Sequence, residues 1–221
     1  MLGRIHVLVE GMKTTNDNIA HELRSPITRI RGLAEMTLTG DSSEREFQEM
    51  AASTIEESDR LLGMINTMLD IAEAEAGVMN LKLTSFNFAG LVRKLCDLYE
   101  PLSAEKEIQV VTEIPEISMV FSDLQKLQRV AANLLDNAIK YTPIGGTVTL
   151  SVNPLGPNTQ FSIANTGPGI SKADLPHIFE RFYRGDRSRT GSGNGLGLSL
   201  VHAIVKAHGG GRFPSTAFQM K

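Results

Sequence analysis

Cysteine is nearly absent from this chain of 221 residues, in which Cys96 stands alone. A single thiol excludes an intrachain disulfide and any cysteine-built metal cluster, and it fits a reducing compartment. Long apolar runs are absent too: none approaches the ~18 to 20 residues that a helix needs to cross a bilayer. No secretory signal is visible. Charge of one sign does not dominate. The 22 Lys and Arg face 25 Asp and Glu for a net charge of -3, so the bulk electrostatics give no reason to expect nucleic acid or an anionic membrane as a partner. Ser-, Pro- or Gly-rich tracts that would mark a long linker are missing as well. What remains is an ordinary core-forming composition, 41% apolar, at a length that holds one large domain or two modest ones.

The first third reads as two long helices. Apolar residues fall at Ile5, Val9, Met12, Ile19, Leu23, Pro26, Ile30 and Leu33, stepping by threes and fours, with Asn16 as the one polar member of the seam. A helix over about 2–39 is expected from that spacing. His21 lies two residues past Ile19 and so points off the seam, and Arg24 and Ser25, three and four residues further on, share its face. Pro26 cannot donate to the carbonyl of Glu22, which predicts a bend just after the histidine. Gly40-Asp41-Ser42-Ser43 ends this helix and offers an N-cap to a second one over about 43–76, closed by Gly77. The second helix carries a stripe of Ile55, Leu62, Ile65, Leu69, Ala72 and Ala76, widened by Leu61, Met64, Met68 and Ile71. Such a stripe exceeds what a two-helix hairpin covers, and a four-helix bundle made by a homodimer is the expected solution. A hairpin packed on its own second domain is the alternative. Residues 2–12 read as the tail of a coiled coil entered midway.

Beyond Gly77 the pattern changes. An extended connector over 78–86 leads to helical spacing over 88–103, a strand at about 108–113, a short one at about 118–121 and a long helix over 123–140. Two alternating runs, 147–153 and 160–165, read as an antiparallel hairpin. Helical 172–182, a polar Arg- and Gly-rich stretch over 183–194, and a helix over 195–207 follow. The strands cluster in adjacent runs, which predicts a two-layer α+β sandwich rather than a doubly wound fold. The expected division is 1–13 coiled-coil end, 14–80 helical domain, 81–87 linker and 88–221 sandwich.

The chemistry concentrates in two places. Asn133, Asn137 and Lys140 stand at i, i+4 and i+7, hence on one helix face, with Leu134, Leu135, Ala138 and Ile139 on the other. Two carboxamides and an ammonium aligned this way can offer neutral oxygens to Mg²⁺ and positive charge to phosphate oxygens. Asn165-Thr166-Gly167-Pro168-Gly169-Ile170 comes straight off a strand, where glycines admit a planar ligand close to the backbone. The other place is the His21 face.

These stretches carry a family resemblance. His-Glu-Leu-Arg-Ser-Pro, from His21 to Pro26, resembles the phosphoacceptor box of the sensor histidine kinases of two-component systems. Residues 133–143 resemble the N box of the GHKL ATPases, 165–170 the G1 box, 179–184 the F box and 191–198 the G2 box. The resemblance implies a helical phosphotransfer domain followed by a GHKL, or Bergerat, ATP-binding fold. It implies that ATP with Mg²⁺ phosphorylates His21, that Glu22 is the acid-base partner, and that Asn137 ligates the metal with Asn133 in support. By the same resemblance Lys140 and Tyr141 approach the phosphates, and Asn165, Gly167, Gly169 and Ile170 surround the base. Phe179, Arg181, Phe182 and Arg184 pin a mobile lid that ends in Gly193, Gly195, Leu196 and Gly197. Ser25, four residues after the histidine, stands where such kinases orient water to dephosphorylate the regulator. The implied partners are a second copy and a response-regulator receiver domain, with no nucleic acid. The implied location is the cytoplasmic part of a bacterial inner-membrane sensor, attached through segments absent from this chain. Two features depart from the family: Asn165 replaces the usual Asp, and the end after Gly210 is several residues short. They motivate two rival expectations, a GHKL ATPase that phosphorylates no histidine and a degenerate dimeric scaffold.

Overall fold

A computed structural model describes residues 2–39, 43–156, 158–185 and 193–209, without the side chains of 2–18, 21 and 39. The shortened end falls outside the described residues. The chain divides into two compact units, Met1–Leu69 with Glu180–Leu196, and Asp70–Phe179 with Gly197–Lys221.

The first unit is built on helix α1 (Leu2–Thr39) and most of helix α2 (Glu44–Glu75). α1 runs on through Pro26, which is buried, while Ile19, Leu23, Ile30 and Leu33 are half-buried between exposed Arg24, Ser25, Ile27 and Thr28. That alternation is the seam read from the spacing. α2 starts at a reciprocal cap: Glu46 Oε2 accepts from Ser43 N at 2.7 Å, and Glu46 N donates to Ser43 Oγ at 3.4 Å. The Ser43 backbone and hydroxyl donors hold the Glu46 carboxyl below its ordinary pKa. Across the hairpin Arg29 pairs with buried Glu57. The α2 stripe is only partly covered within the hairpin, as its breadth predicts. Met64 is buried and Leu61 and Met68 half-buried, whereas Ile55, Leu62, Ile65 and Leu69 stay between 41% and 62% exposed. One neighbouring helix covers only one flank of a broad stripe.

The second unit holds β1 (Leu83–Asn87), α3 (Phe88–Glu105), β2 (Gln109–Glu113), β3 (Met119–Asp123), α4 (Leu124–Tyr141), β4 (Thr147–Leu155), β5 (Asn158–Asn165) and α5 (Gly197–Ala207). β1 and β3 pair antiparallel with Leu83 opposite Asp123. β4 is the centre of a three-stranded sheet, parallel to β2 with Val148 opposite Val110, and antiparallel to β5 with Val148 opposite Asn165. Val148, Leu150 and Val152 alternate along β4 into a core shared with Phe88, Val92 and Leu95 of α3 and Ala131, Leu135, Ala138 and Ile139 of α4. This is the helix-on-sheet layering expected of the sandwich.

Two stretches differ from the sequence reading. Residues 172–182 form successive turns rather than a helix. Ser171 Oγ donates to Asp174 Oδ2 at 2.7 Å, and Pro176 lacks the N–H that would continue the ladder. The stretch read as a linker contains β1, because Asn87 Oδ1 accepts from Ser118 N at 3.0 Å and from Gly90 N at 3.3 Å, fastening the strand to β3 while capping α3.

α3 closes in a turn where Ile108 N donates to Ser103 O at 2.8 Å and Glu107 N to Ala104 O at 2.9 Å. Glu107 occupies the left-handed position of that turn, at φ 53°, which glycine takes without a Cβ penalty. Glu107→Gly is therefore expected to stabilise the fold by about 1 kcal/mol. Thermal unfolding should show the melting point rising by a few degrees; an unchanged or lower value would contradict the strain.

Candidate functional site

α4 is anchored at its start by Asp123. Its Oδ1 accepts from Lys126 N at 3.0 Å and its Oδ2 from Lys82 N at 2.8 Å. Burial pushes this carboxyl up, but those donors and the Lys126 charge hold it below the ordinary carboxylate value. Asp70, at the end of α2, pairs with Lys126 Nζ at 2.6 Å and with Arg129. Along α4 the apolar face of Val130, Ala131, Leu135, Ala138 and Ile139 is buried, and the opposite face brings up Asn133, Asn137 and Lys140, all half-buried.

The two carboxamides meet the first residue of α5. Asn133 Nδ2 donates to Arg129 O at 2.8 Å. A Cβ on Gly197 would stand 2.8 Å from Asn133 Oδ1 and 3.6 Å from Asn137 Nδ2, so the helix start lies against both amides and a larger residue there would require the Asn133 amide to shift. The unpaired N–H groups of a helix's first turn attract anions. At the other end of α4, Lys140 Nζ lies 5.2 Å from the centre of the Tyr141 ring. Thr142 Oγ1 donates to Ala138 O at 2.6 Å and accepts from Asn165 Nδ2 at 3.1 Å. Gly167 follows, where a Cβ would be 2.5 Å from Tyr141 O and 2.6 Å from Asn165 Nδ2. Gly169 takes φ 72°, and Ile170 is half-buried. Phe179 stacks on His202 of α5, ring centres 5.1 Å apart.

Asn133, Asn137, Lys140, Tyr141, Asn165, Gly167, Gly169, Ile170, Phe179 and Gly197 thus belong to one unit, while Arg181, Phe182, Arg184, Gly193, Gly195 and Leu196 belong to the other. There Phe182 N donates to Gly195 O at 3.0 Å, closing the neck of a loop, and Leu196 is buried. Residues 186–192, within the stretch read as the lid, lie outside the described residues. In α1, Glu22 is half-buried and Ser25 exposed; the His21 side chain lies outside the described residues. Cys96 takes no part, since burial first and the Asp97 charge second push its thiol up and keep it protonated.

Sequence reasoning missed Lys106. Its Nζ donates to the carbonyls of Ile139 at 2.9 Å, Lys140 at 3.0 Å and Thr142 at 3.2 Å, a cation seated on the C-terminal end of α4. Nothing local marks it, because those partners lie more than thirty residues away. Lys106→Met should cost about 1–3 kcal/mol of stability by leaving these carbonyls without a donor. It should also weaken ATP binding severalfold, read by titration; unchanged affinity would make Lys106 a purely structural cap.

A helical hairpin carrying a histidine, joined to an α/β unit with paired asparagines against a helix start, defines a phospho-acceptor domain linked to an ATPase domain. Residues 12–77 match the His Kinase A (phospho-acceptor) domain, and residues 122–217 match the histidine kinase-, DNA gyrase B-, and HSP90-like ATPase family. The chain belongs to the sensor histidine kinases of two-component systems. It is 33% identical over 212 residues to the sensor histidine kinase CusS of Escherichia coli O6:H1, a match covering 95% of this chain and 44% of that protein. The chain thus spans less than half the length of that relative. Among solved structures, the Acinetobacter baumannii histidine kinase AdeS is 25% identical, with a TM-score of 0.67 over 85% of this chain and 86% of that one. The histidine kinase ThkA, in complex with response regulator protein TrrA, is 27% identical, with a TM-score of 0.65 over 94% of this chain and 58% of that one. Among the described residues no helix is long and apolar enough to cross a membrane.

Proposed function

We propose that this chain transfers the γ-phosphoryl group of ATP to a ring nitrogen of His21, and that the group then passes to an aspartate of a response-regulator receiver domain. One imidazole nitrogen attacks the γ-phosphorus and the bond to the bridging oxygen breaks. ADP leaves, and the proton on the other ring nitrogen passes to Glu22. Neutral imidazole is nucleophilic near neutral pH, so the protein's task is in-line placement and neutralisation of developing charge. Asn133, Lys140, Tyr141 and the start of α5 at Gly197 face the phosphates, and Asn165, Gly167, Gly169 and Ile170 face the base. Phe179, Arg181, Phe182 and Arg184, with Gly193, Gly195 and Leu196, hold and close the lid. Mg²⁺ would be held by Asn137, whose neutral amide oxygen suits a hard cation, and would supply positive charge to offset the negative charge developing in the transfer.

The observation that carries this reading is the approach of Asn133 and Asn137 to Gly197, which gathers two amides and a helix N-terminus at one point. The exposed Ile55, Leu62, Ile65 and Leu69 support a second copy packing against α2. Ser25, four residues after His21, would orient water for dephosphorylation of the regulator, and its exposure supports that role. The chain would be the cytoplasmic part of a bacterial inner-membrane sensor, with no nucleic-acid partner. The decisive experiment incubates the chain with γ-labelled ATP and Mg²⁺. Label that is lost in acid and kept in alkali is expected; ATP consumed without such label would sink the histidine step, and neither would sink the nucleotide site as well.

A further inference from the structure

We infer that Asn165 opens the nucleotide site to purine nucleotides with a 6-oxo group as well as to ATP, with the Thr142 hydroxyl as the reversible partner that permits both. The inference rests on the nucleotide reading above. β5 delivers Asn165 to a position only 7% exposed, beside Thr142 at 2%. Nδ2 donates to Thr142 Oγ1 at 3.1 Å, and Oγ1 donates onward to Ala138 O at 2.6 Å. In this state the amide spends a donor on the protein and keeps Oδ1 to accept from the 6-amino group of adenine.

A half-turn of the same amide reverses the match. A hydroxyl both donates and accepts, so Thr142 Oγ1 can turn its hydrogen to Asn165 Oδ1, leaving Nδ2 to donate to a 6-oxo group. Ala138 O is not stranded by this, because Thr142 N also donates to it, at 3.1 Å. The amide plane keeps its shape on rotation, so the close approach to Gly167 is the same in both states. A carboxylate in this place has no such freedom. Both its oxygens accept, Thr142 must donate, and only a base with a donor at position 6 is matched. A site whose polar group is left unpaired by the wrong ligand discriminates strongly; Asn165 leaves the group at position 6 of neither base unpaired.

The test is equilibrium titration of the full chain with Mg-ATP and with Mg-ITP, whose base carries oxygen at position 6 and a hydrogen on the neighbouring ring nitrogen N1. Dissociation constants within about tenfold of each other are expected for the native chain, and Asn165→Asp should widen the ratio to at least about a hundredfold in favour of ATP. ATP bound with ITP excluded a hundredfold by the native chain overturns the inference and spares the nucleotide reading, whereas binding of neither overturns both. An unchanged ratio in a folded Asn165→Asp variant also overturns it. If that variant does not fold, the native ratio alone decides.

Discussion

Replacing His21 with glutamine is expected to remove phosphoryl incorporation by at least about a thousandfold, because it deletes the reacting atom itself. Glutamine approximates the reach of the imidazole and keeps good helix propensity, so α1 should persist. Its amide nitrogen, however, has no available lone pair with which to attack phosphorus. The residues of α4, β5 and α5 proposed to face the nucleotide belong to the other unit, and ATP affinity should stay within about twofold of the native value. The two readouts therefore separate. Acid-labile label that persists in the variant would remove His21 from the chemistry, and a parallel loss of ATP binding would mean that the substitution disturbs more than the acceptor.

Gly167→Ala should weaken ATP binding by at least about tenfold while costing about 1–3 kcal/mol of stability, a steric effect of overpacking. The added Cβ would sit 2.5 Å from Tyr141 O and 2.6 Å from Asn165 Nδ2. Neither neighbour can yield. Tyr141 O is backbone at the end of α4, and Asn165 is buried and tied to Thr142. The loop would be driven away from the helix at the point where β5 turns into the segment proposed to bind the base. Gly145→Ala is the matched control: its φ is 75° and nothing lies within 4 Å of the new Cβ. It should show only the backbone cost of about 1 kcal/mol, with ATP affinity unmoved. Native-like affinity in Gly167→Ala would take this loop out of the site.

The parts of the site that repeat at helical spacing were legible. Asn133, Asn137 and Lys140 share the face opposite Leu135, Ala138 and Ile139 because 3.6 residues per turn put them there whatever the rest of the chain does. The hairpin of β4 and β5 was legible for the same kind of reason, alternation at period two on either side of a turn. Residues 172–182 were misread because their apolar residues imitate helical spacing while Pro176 interrupts the hydrogen bonding that spacing presupposes. β1 was read as part of a connector because five residues, most of them exposed, show no buried face of their own. Only pairing with β3 makes them a strand.

What the sequence determined by itself was the two helices of the phospho-acceptor hairpin and the residues on each helix face, since these follow from local geometry, while the order of the nucleotide boxes was read from the family resemblance. The tertiary structure alone decided which distant groups meet. Lys106 reaches carbonyls more than thirty residues along the chain, and Asp70 gathers Lys126 and Arg129 from more than fifty. The orientation of Asn165 likewise depends on a hydroxyl 23 positions earlier. Such pairings have no periodicity to betray them, because charge and hydrogen-bond partners are selected by where folded elements come to rest rather than by spacing along the chain.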